Sequence, residues 1–181
     1  DLEGPSNPFR TEDKPLKKQV VIQKDTQQPA VLILIDDQKF LVSEGEWSSW
    51  IQVPFETGLQ SISGIVKFYV RKVQPTLEVY VSPICIDPKN PAGPISTPAS
   101  YSQELANEVG LYNTLGLPAD TKSLSNGTLH DEEYFDQATS VLEENIKAFH
   151  WEFPQFKEGL FFFYFSSLDQ NSHMLWRCMD P

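Results

Sequence analysis

GIVKFYVRKVQPTLEVYV, residues 64–81, holds two runs of alternating polarity joined by a proline-containing break. In the first run Val66, Phe68 and Val70 fall on one face, and Lys67, Tyr69 and Arg71 on the other. Leu77, Val79 and Val81 repeat the apolar face in the second. Successive side chains of a strand point to opposite faces, so a period of two marks a half-buried strand. VQPT has the length of a hairpin loop. The two runs are therefore expected to pair antiparallel, with the six apolar residues buried and Lys67 and Arg71 in solvent.

Working outward toward the N-terminus, VVI (20–22) and AVLILI (30–35) are short apolar runs separated by the breaker cluster KDTQQP. IDDQKF reads as a tight connection into FLV (40–42), which gives the adjacent carboxylates Asp36 and Asp37 a turn role. Trp47 and Trp50 in GEWSSW suit the edge of a β-core; stacking on a base or sugar is the alternative. Toward the C-terminus, the proline-rich DPKNPAGPISTP (87–98) separates this β half from a helical one. Tyr101, Leu105 and Val109 are four apart, with Gly110 as a stop. TLHD (128–131) has the form of a capping box opening a long helix with Phe135, Ala138, Leu142, Ile146 and Phe149 on its apolar face, ended by Pro154. FKEGLFFFYFSS (156–167) then reads as a turn into a strand apolar on both sides, the kind buried inside a parallel sheet.

The expected fold class is α+β: a mostly antiparallel β half followed by an α/β portion. Residues 1–17 read as a flexible, solvated tail, 18–95 as the β-rich region and 96–181 as the α/β region. At 181 residues and 40% apolar, the chain is long enough to bury a core. Its 25 acidic residues against 14 basic leave a net charge of -11, which argues against nucleic acid and anionic membrane as partners. Cys85 and Cys178 belong to no CxxC pair, so a zinc ribbon or disulfide framework is not expected. His130 and His150, near the ends of the long helix, have surface or capping roles as the default. Asn126-Gly127-Thr128 fits a glycosylation sequon, and an Asn-Gly pair before a helix also reads as a turn.

Asp169 stands four residues before His173 in SSLDQNSHMLWRCMDP (166–181). On a helix such residues share a face, and a carboxylate and an imidazole there can converge on one cation. Two donors do not complete a site, since catalytic zinc takes three or more from the protein.

FFFYFSSLDQNSHMLWRCMDP resembles a segment of the phosphohydrolases and phosphomutases of the alkaline phosphatase superfamily, the type I phosphodiesterase/nucleotide pyrophosphatase group. The likeness extends to EGEWSSWIQVPF, GIVKFYVRKV, LEVYVSPICIDP, PISTPASYSQELANEVGLYNTLGLPADTKSL and NGTLHDEEYFDQ, from about Phe40 onward. It implies an alkaline-phosphatase-like core. It also implies a site of two divalent metals, usually zinc, and a Ser or Thr nucleophile acting on a small phosphorylated substrate. Asp169 and His173 match an Asp and a His that bind one metal of that pair. The family's nucleophile and its other metal ligands have no counterpart here. The chain thus resembles an internal piece of such an enzyme, its β half an insertion or cap near the site. The isolated polypeptide is expected to lack activity and to hold no metal tightly. Residues 160–181 are expected to self-associate or to find packing outside the family's pattern. The competing function is a non-catalytic, β-rich binding or interaction module.

Overall fold

The computed structural model describes residues 1–6, 15–58 and 61–180. These form two compact units, Asp1–Pro94 and Ile95–Pro181. The first carries strands β1 (Leu2–Ser6), β2 (Pro15–Lys18), β3 (Val21–Lys24), β4 (Ala30–Ile35), β5 (Gln38–Ser43), β6 (Glu46–Trp47), β7 (Ile51–Glu56), β8 (Ser61–Val66), β9 (Phe68–Lys72), β10 (Glu78–Val81) and β11 (Cys85–Ile86). They pair antiparallel throughout, as β1-β2, β3-β4-β5, β7-β8-β11 and β6-β9-β10. Alternation brings Val31, Ile33 and Ile35 of β4, Ile51, Val53 and Phe55 of β7, and Val66, Phe68 and Val70 into one core. Burying each such side chain stabilises the unit by about 1.5–3 kcal/mol. Leu77, Val79 and Val81 are half-buried against that core.

The turn at IDDQ follows the expected pairing, with Ile35 opposite Gln38 and Asp36 at a φ of 50°. A two-residue hairpin turn needs this left-handed backbone, and Asp tolerates it better than most residues. The N-terminal tail differs from expectation: residues 2–6 and 15–18 pair as β1 and β2. The rest of that tail, residues 7–14, lies outside the described residues.

Two corrections concern residues 64–72. The alternating run is not one strand, because it breaks at Lys67 and passes from the β7-β8-β11 sheet into the β6-β9-β10 sheet. Two serines fill the corner. The Lys67 N–H donates to Ser82 Oγ at 2.9 Å and the Phe68 N–H to Ser48 Oγ at 2.9 Å. The backbones of Ser82 and Ser48 donate in return to the Lys67 and Phe68 carbonyls. Lys67 is also buried rather than solvent-facing, with its ammonium 4.7 Å from the centre of the Trp50 ring. A lysine buries its stem readily when an aromatic face receives the charge. Arg71 is half-buried. Ser82→Ala removes the acceptor from a buried N–H, so thermal unfolding is expected to show a loss of about 1–3 kcal/mol.

In the second unit, α1 (Tyr101–Val109) stops at Gly110, whose φ of 90° favours glycine. Asp120 caps the short α2 (Thr121–Ser125), accepting from the Ser123 N–H at 2.9 Å. The long helix α3 (Asp131–Glu152) begins two residues later than TLHD suggests. His130 is its N-cap, and the Glu133 carboxylate accepts from the His130 N–H at 2.8 Å. Its buried line is Tyr134, Ala138 and Val141, whereas Phe135 and Ile146 are exposed. The expected face is therefore rotated by about one residue.

The Tyr101 hydroxyl donates to Glu152, tying the start of α1 to the end of α3. Burial, together with that bond and the Glu152 charge, raises the Tyr101 phenol above its ordinary value of 10.0. An unfolded tyrosine ionises near pH 10, while the folded one keeps its proton beyond that. Its contribution is therefore whole below about pH 10 and is lost as pH climbs toward the folded value. Burial moves Tyr112 and Tyr134 the same way. Unfolding temperatures measured into the alkaline range should fall less steeply for Tyr101→Phe than for the parent chain.

Candidate functional site

Leu160–Phe165 is neither helix nor strand and joins no sheet, which corrects the buried parallel strand expected there. Its alternation still operates. Phe161, Phe163 and Phe165 turn toward α3, each with its ring centre 5.5–6.0 Å from that of Phe149. Phe153 and Phe156 close on Phe161. The opposite face is bare, with Leu160 92%, Phe162 82% and Tyr164 60% exposed. A strand apolar on both faces needs neighbours along both edges and a cover on each face. Among the described residues the second unit holds no other strand to supply them.

The segment runs directly into helix α4 (Ser166–Leu175). Met174 and Leu175 of α4 pack on Ala119, Leu124, Tyr134 and Ala138. Arg177 follows the helix, donating back to the Met174 carbonyl and to Asp131 at the start of α3. Asp169 lies in the first turn, where a carboxylate meets the positive end of the helix dipole.

The structure brings Asp169 and His173 together on one face. His173 Nε2 lies 3.4 Å from Asp169 Oδ1, with the side chains 79% and 62% exposed. Two donors bonded at about 2.0–2.2 Å to one tetrahedral ion stand roughly 3.3–3.5 Å apart, so the spacing has the bite of a zinc site. It equally suits a solvated i,i+4 pair worth a few tenths of a kcal/mol. No group of three or more His, Cys, Asp and Glu side chains able to hold a metal is found among the described residues. Among the described residues Asp169 and His173 stand as a pair on an exposed helix face.

Beside them an apolar groove of about 540 Å³ is lined by Leu142, Phe165, Leu168, Leu175, Trp176 and Met179. Gln170, 6% exposed, has both side-chain polar atoms without a hydrogen bond, as has the fully buried Tyr134 hydroxyl. Sequence reasoning missed both, because a Gln or Tyr at helical spacing carries no mark of its satisfaction.

The other candidates fall elsewhere. Trp47 covers Tyr69 and Tyr80, its ring centre 5.2 and 5.5 Å from theirs. Register sets all three on one face, with Tyr69 opposite both Trp47 and Tyr80. Asn126 is exposed in the turn closing α2, its Oδ1 accepting from the Thr128 N–H at 3.0 Å. His130 and His150 are exposed at the two ends of α3. Cys85 is buried and Cys178 exposed, and the two form no disulfide.

The fold defines the class: an α+β protein of mostly antiparallel sheets, with a β unit and a helical unit. Comparison with known proteins finds no matching family model, no matching curated protein and no matching solved structure. Among the described residues no helix is long and apolar enough to cross a membrane.

Proposed function

We propose that this chain is part of a metal-dependent phosphohydrolase of the alkaline phosphatase superfamily, of phosphodiesterase/nucleotide pyrophosphatase or phosphomutase type. Asp169 and His173 hold one of its two divalent metals, zinc by donor type. The observation that carries this is the 3.4 Å pairing of the two side chains on the open face of α4, directly after the apolar segment. The sequence resemblance along the chain supports it. When bound, the metals polarise the phosphoryl oxygens and stabilise the attacking and leaving groups. Asp169 and His173 contribute a carboxylate oxygen and an imidazole nitrogen from one rigid helix. The nucleophile and remaining ligands come from segments beyond this chain.

The gene tests this directly. A reading frame with a Ser or Thr nucleophile upstream and an Asp-His pair downstream supports the enzyme; a frame ending at Pro181 favours the binding module. The β unit favours that second reading in one respect, because it closes its own core. The 181-residue chain itself is expected to bind zinc no more tightly than a two-donor surface pair, since affinity depends on further ligands and on groups that orient them. Calorimetric titration checks this. One tight site per chain, lost in His173→Ala, contradicts it.

Self-association through residues 160–181 belongs to the same proposal. Leu160, Phe162, Tyr164, Leu168, Trp176 and Met179 are all more than half exposed within that stretch.

A further inference from the structure

We infer that Asn126 is a site of self-modification: the Gly127 backbone nitrogen displaces the Asn126 side-chain amide, and the last turn of α2 sets the rate. Sequence nominates the pair. Of the seven asparagines only Asn126 precedes a glycine. Asn7 and Asn90 precede prolines, which carry no N–H. Asn113 precedes the β-branched Thr114, whose side chain crowds its own amide. Asn107, Asn145 and Asn171 lie within α1, α3 and α4, where helical bonding holds the following amide. Asn126 is exposed where α2 ends, and Gly127 has no Cβ to shield its nitrogen.

The chemistry needs only water. Hydroxide takes the Gly127 amide proton, and the nitrogen attacks Asn126 Cγ. A bond forms between that nitrogen and Cγ, the Cγ–Nδ2 bond breaks, and Nδ2 leaves as ammonia after taking a proton from water. The product is a five-membered succinimide. Water then opens it at either carbonyl, leaving aspartate or isoaspartate at position 126. Nothing is oxidised or reduced.

The turn holds the reacting atoms apart. The Gly127 N–H donates to the Leu124 carbonyl at 3.2 Å, and Asn126 Oδ1 accepts from the Thr128 N–H at 3.0 Å. At a ψ of 4° the Asn126 nitrogen eclipses that of Gly127 about the Cα–C bond. Ring closure requires Cβ in that eclipsed place, and on a tetrahedral Cα it stands a third of a turn away. Both bonds must therefore open and ψ must rotate before attack. Openings of this kind are the local motions of helix ends, and α2 is only five residues long. Its hold depends on Asp120, whose carboxylate accepts from the Ser123 N–H at 2.9 Å and from Ser123 Oγ at 2.7 Å.

The product matters to the helical unit. Leu124 and Leu129 are 7% and 1% exposed on either side of the turn, and the Leu129 N–H donates to the Ser123 carbonyl at 3.0 Å. An isoaspartyl link adds a carbon to the main chain between those two seats, so α2 loosens.

Peptide mapping by mass spectrometry tests this on the full chain, made in a bacterial host and aged at mildly alkaline pH, with isoaspartate read by enzymatic methylation. The expected result is conversion of Asn126 to aspartate and isoaspartate, faster as pH rises. In the folded chain it should run about tenfold or more slower than in urea, because the turn must open first. Asp120→Ala should speed conversion in the folded chain about tenfold, the factor that about 1.4 kcal/mol of cap stability corresponds to. Gly127→Ala, compared in urea so that folding plays no part, should slow it about tenfold by restoring a Cβ beside the nitrogen. Asn126 intact in both states, or no effect of Gly127→Ala in urea, would overturn the chemistry. Conversion in urea alone would overturn modification of the folded protein. Equal rates folded and unfolded, or no response to Asp120→Ala, would overturn control by α2.

Discussion

Asp87→Asn is expected to unfold the β unit at a markedly lower temperature than the parent chain, with a loss of roughly 3 kcal/mol or more. The Asp87 residue is 0% exposed, and its carboxylate gathers three donors. Oδ2 accepts from Gln52 Nε2 and Ser63 Oγ, both at 2.7 Å, and Oδ1 from the Lys89 N–H at 2.9 Å. The partners lie on β7, on β8 and in the loop after β11, so one side chain ties two strands to the start of the proline-rich stretch. An amide of the same shape turns a donor toward at least one of those donors. Leaving a buried polar group unsatisfied costs about 1–3 kcal/mol, and here a repulsive contact is added. Asp87→Ala strips all three donors and should cost more. Thermal or urea unfolding of the two variants measures both; a change within about 0.5 kcal/mol, the range of neutral surface substitutions, would show the cluster to be dispensable.

The sheet half was largely legible because its information is local. Val66, Phe68 and Val70 announce buried strand by alternation, and the Asp36-Asp37 turn announces the hairpin between β4 and β5. Lys67 was not legible, since a period of two reads the same in a strand that changes sheets as in a straight one. Asp87 looked like loop chemistry for a related reason: its donors lie 24 and 35 residues away along the chain. On α3, apolar size favours Phe135, while packing selects Tyr134 and Val141 beside the expected Ala138. LFFFYF has strand composition, but a strand forms only with a neighbour, and pairing is a non-local property. The Asp169–His173 pairing was legible from spacing once the helix was granted.

The second large effect concerns catalysis. The 181-residue chain is expected to show no zinc- or manganese-dependent turnover of p-nitrophenyl phosphate or its diester analogue, because it offers two metal donors and no identified nucleophile. In a longer polypeptide that supplies the nucleophile and the other ligands, turnover should appear. There Asp169→Ala or His173→Ala should lower it by roughly 10³-fold. Such a drop corresponds to several kcal/mol of transition-state stabilisation at about 1.4 kcal/mol per factor of ten. Substitution of His150, exposed at the far end of α3, should leave turnover unchanged.

Metal content tests the assignment of Asp169 and His173 most directly. The longer polypeptide, purified with and without Asp169→Ala/His173→Ala, would be assayed for bound zinc by elemental mass spectrometry alongside phosphohydrolase activity. Two metal ions per chain in the parent, falling to one in the double variant with loss of activity, is the predicted result. Two ions retained in the double variant, with activity intact, would contradict it.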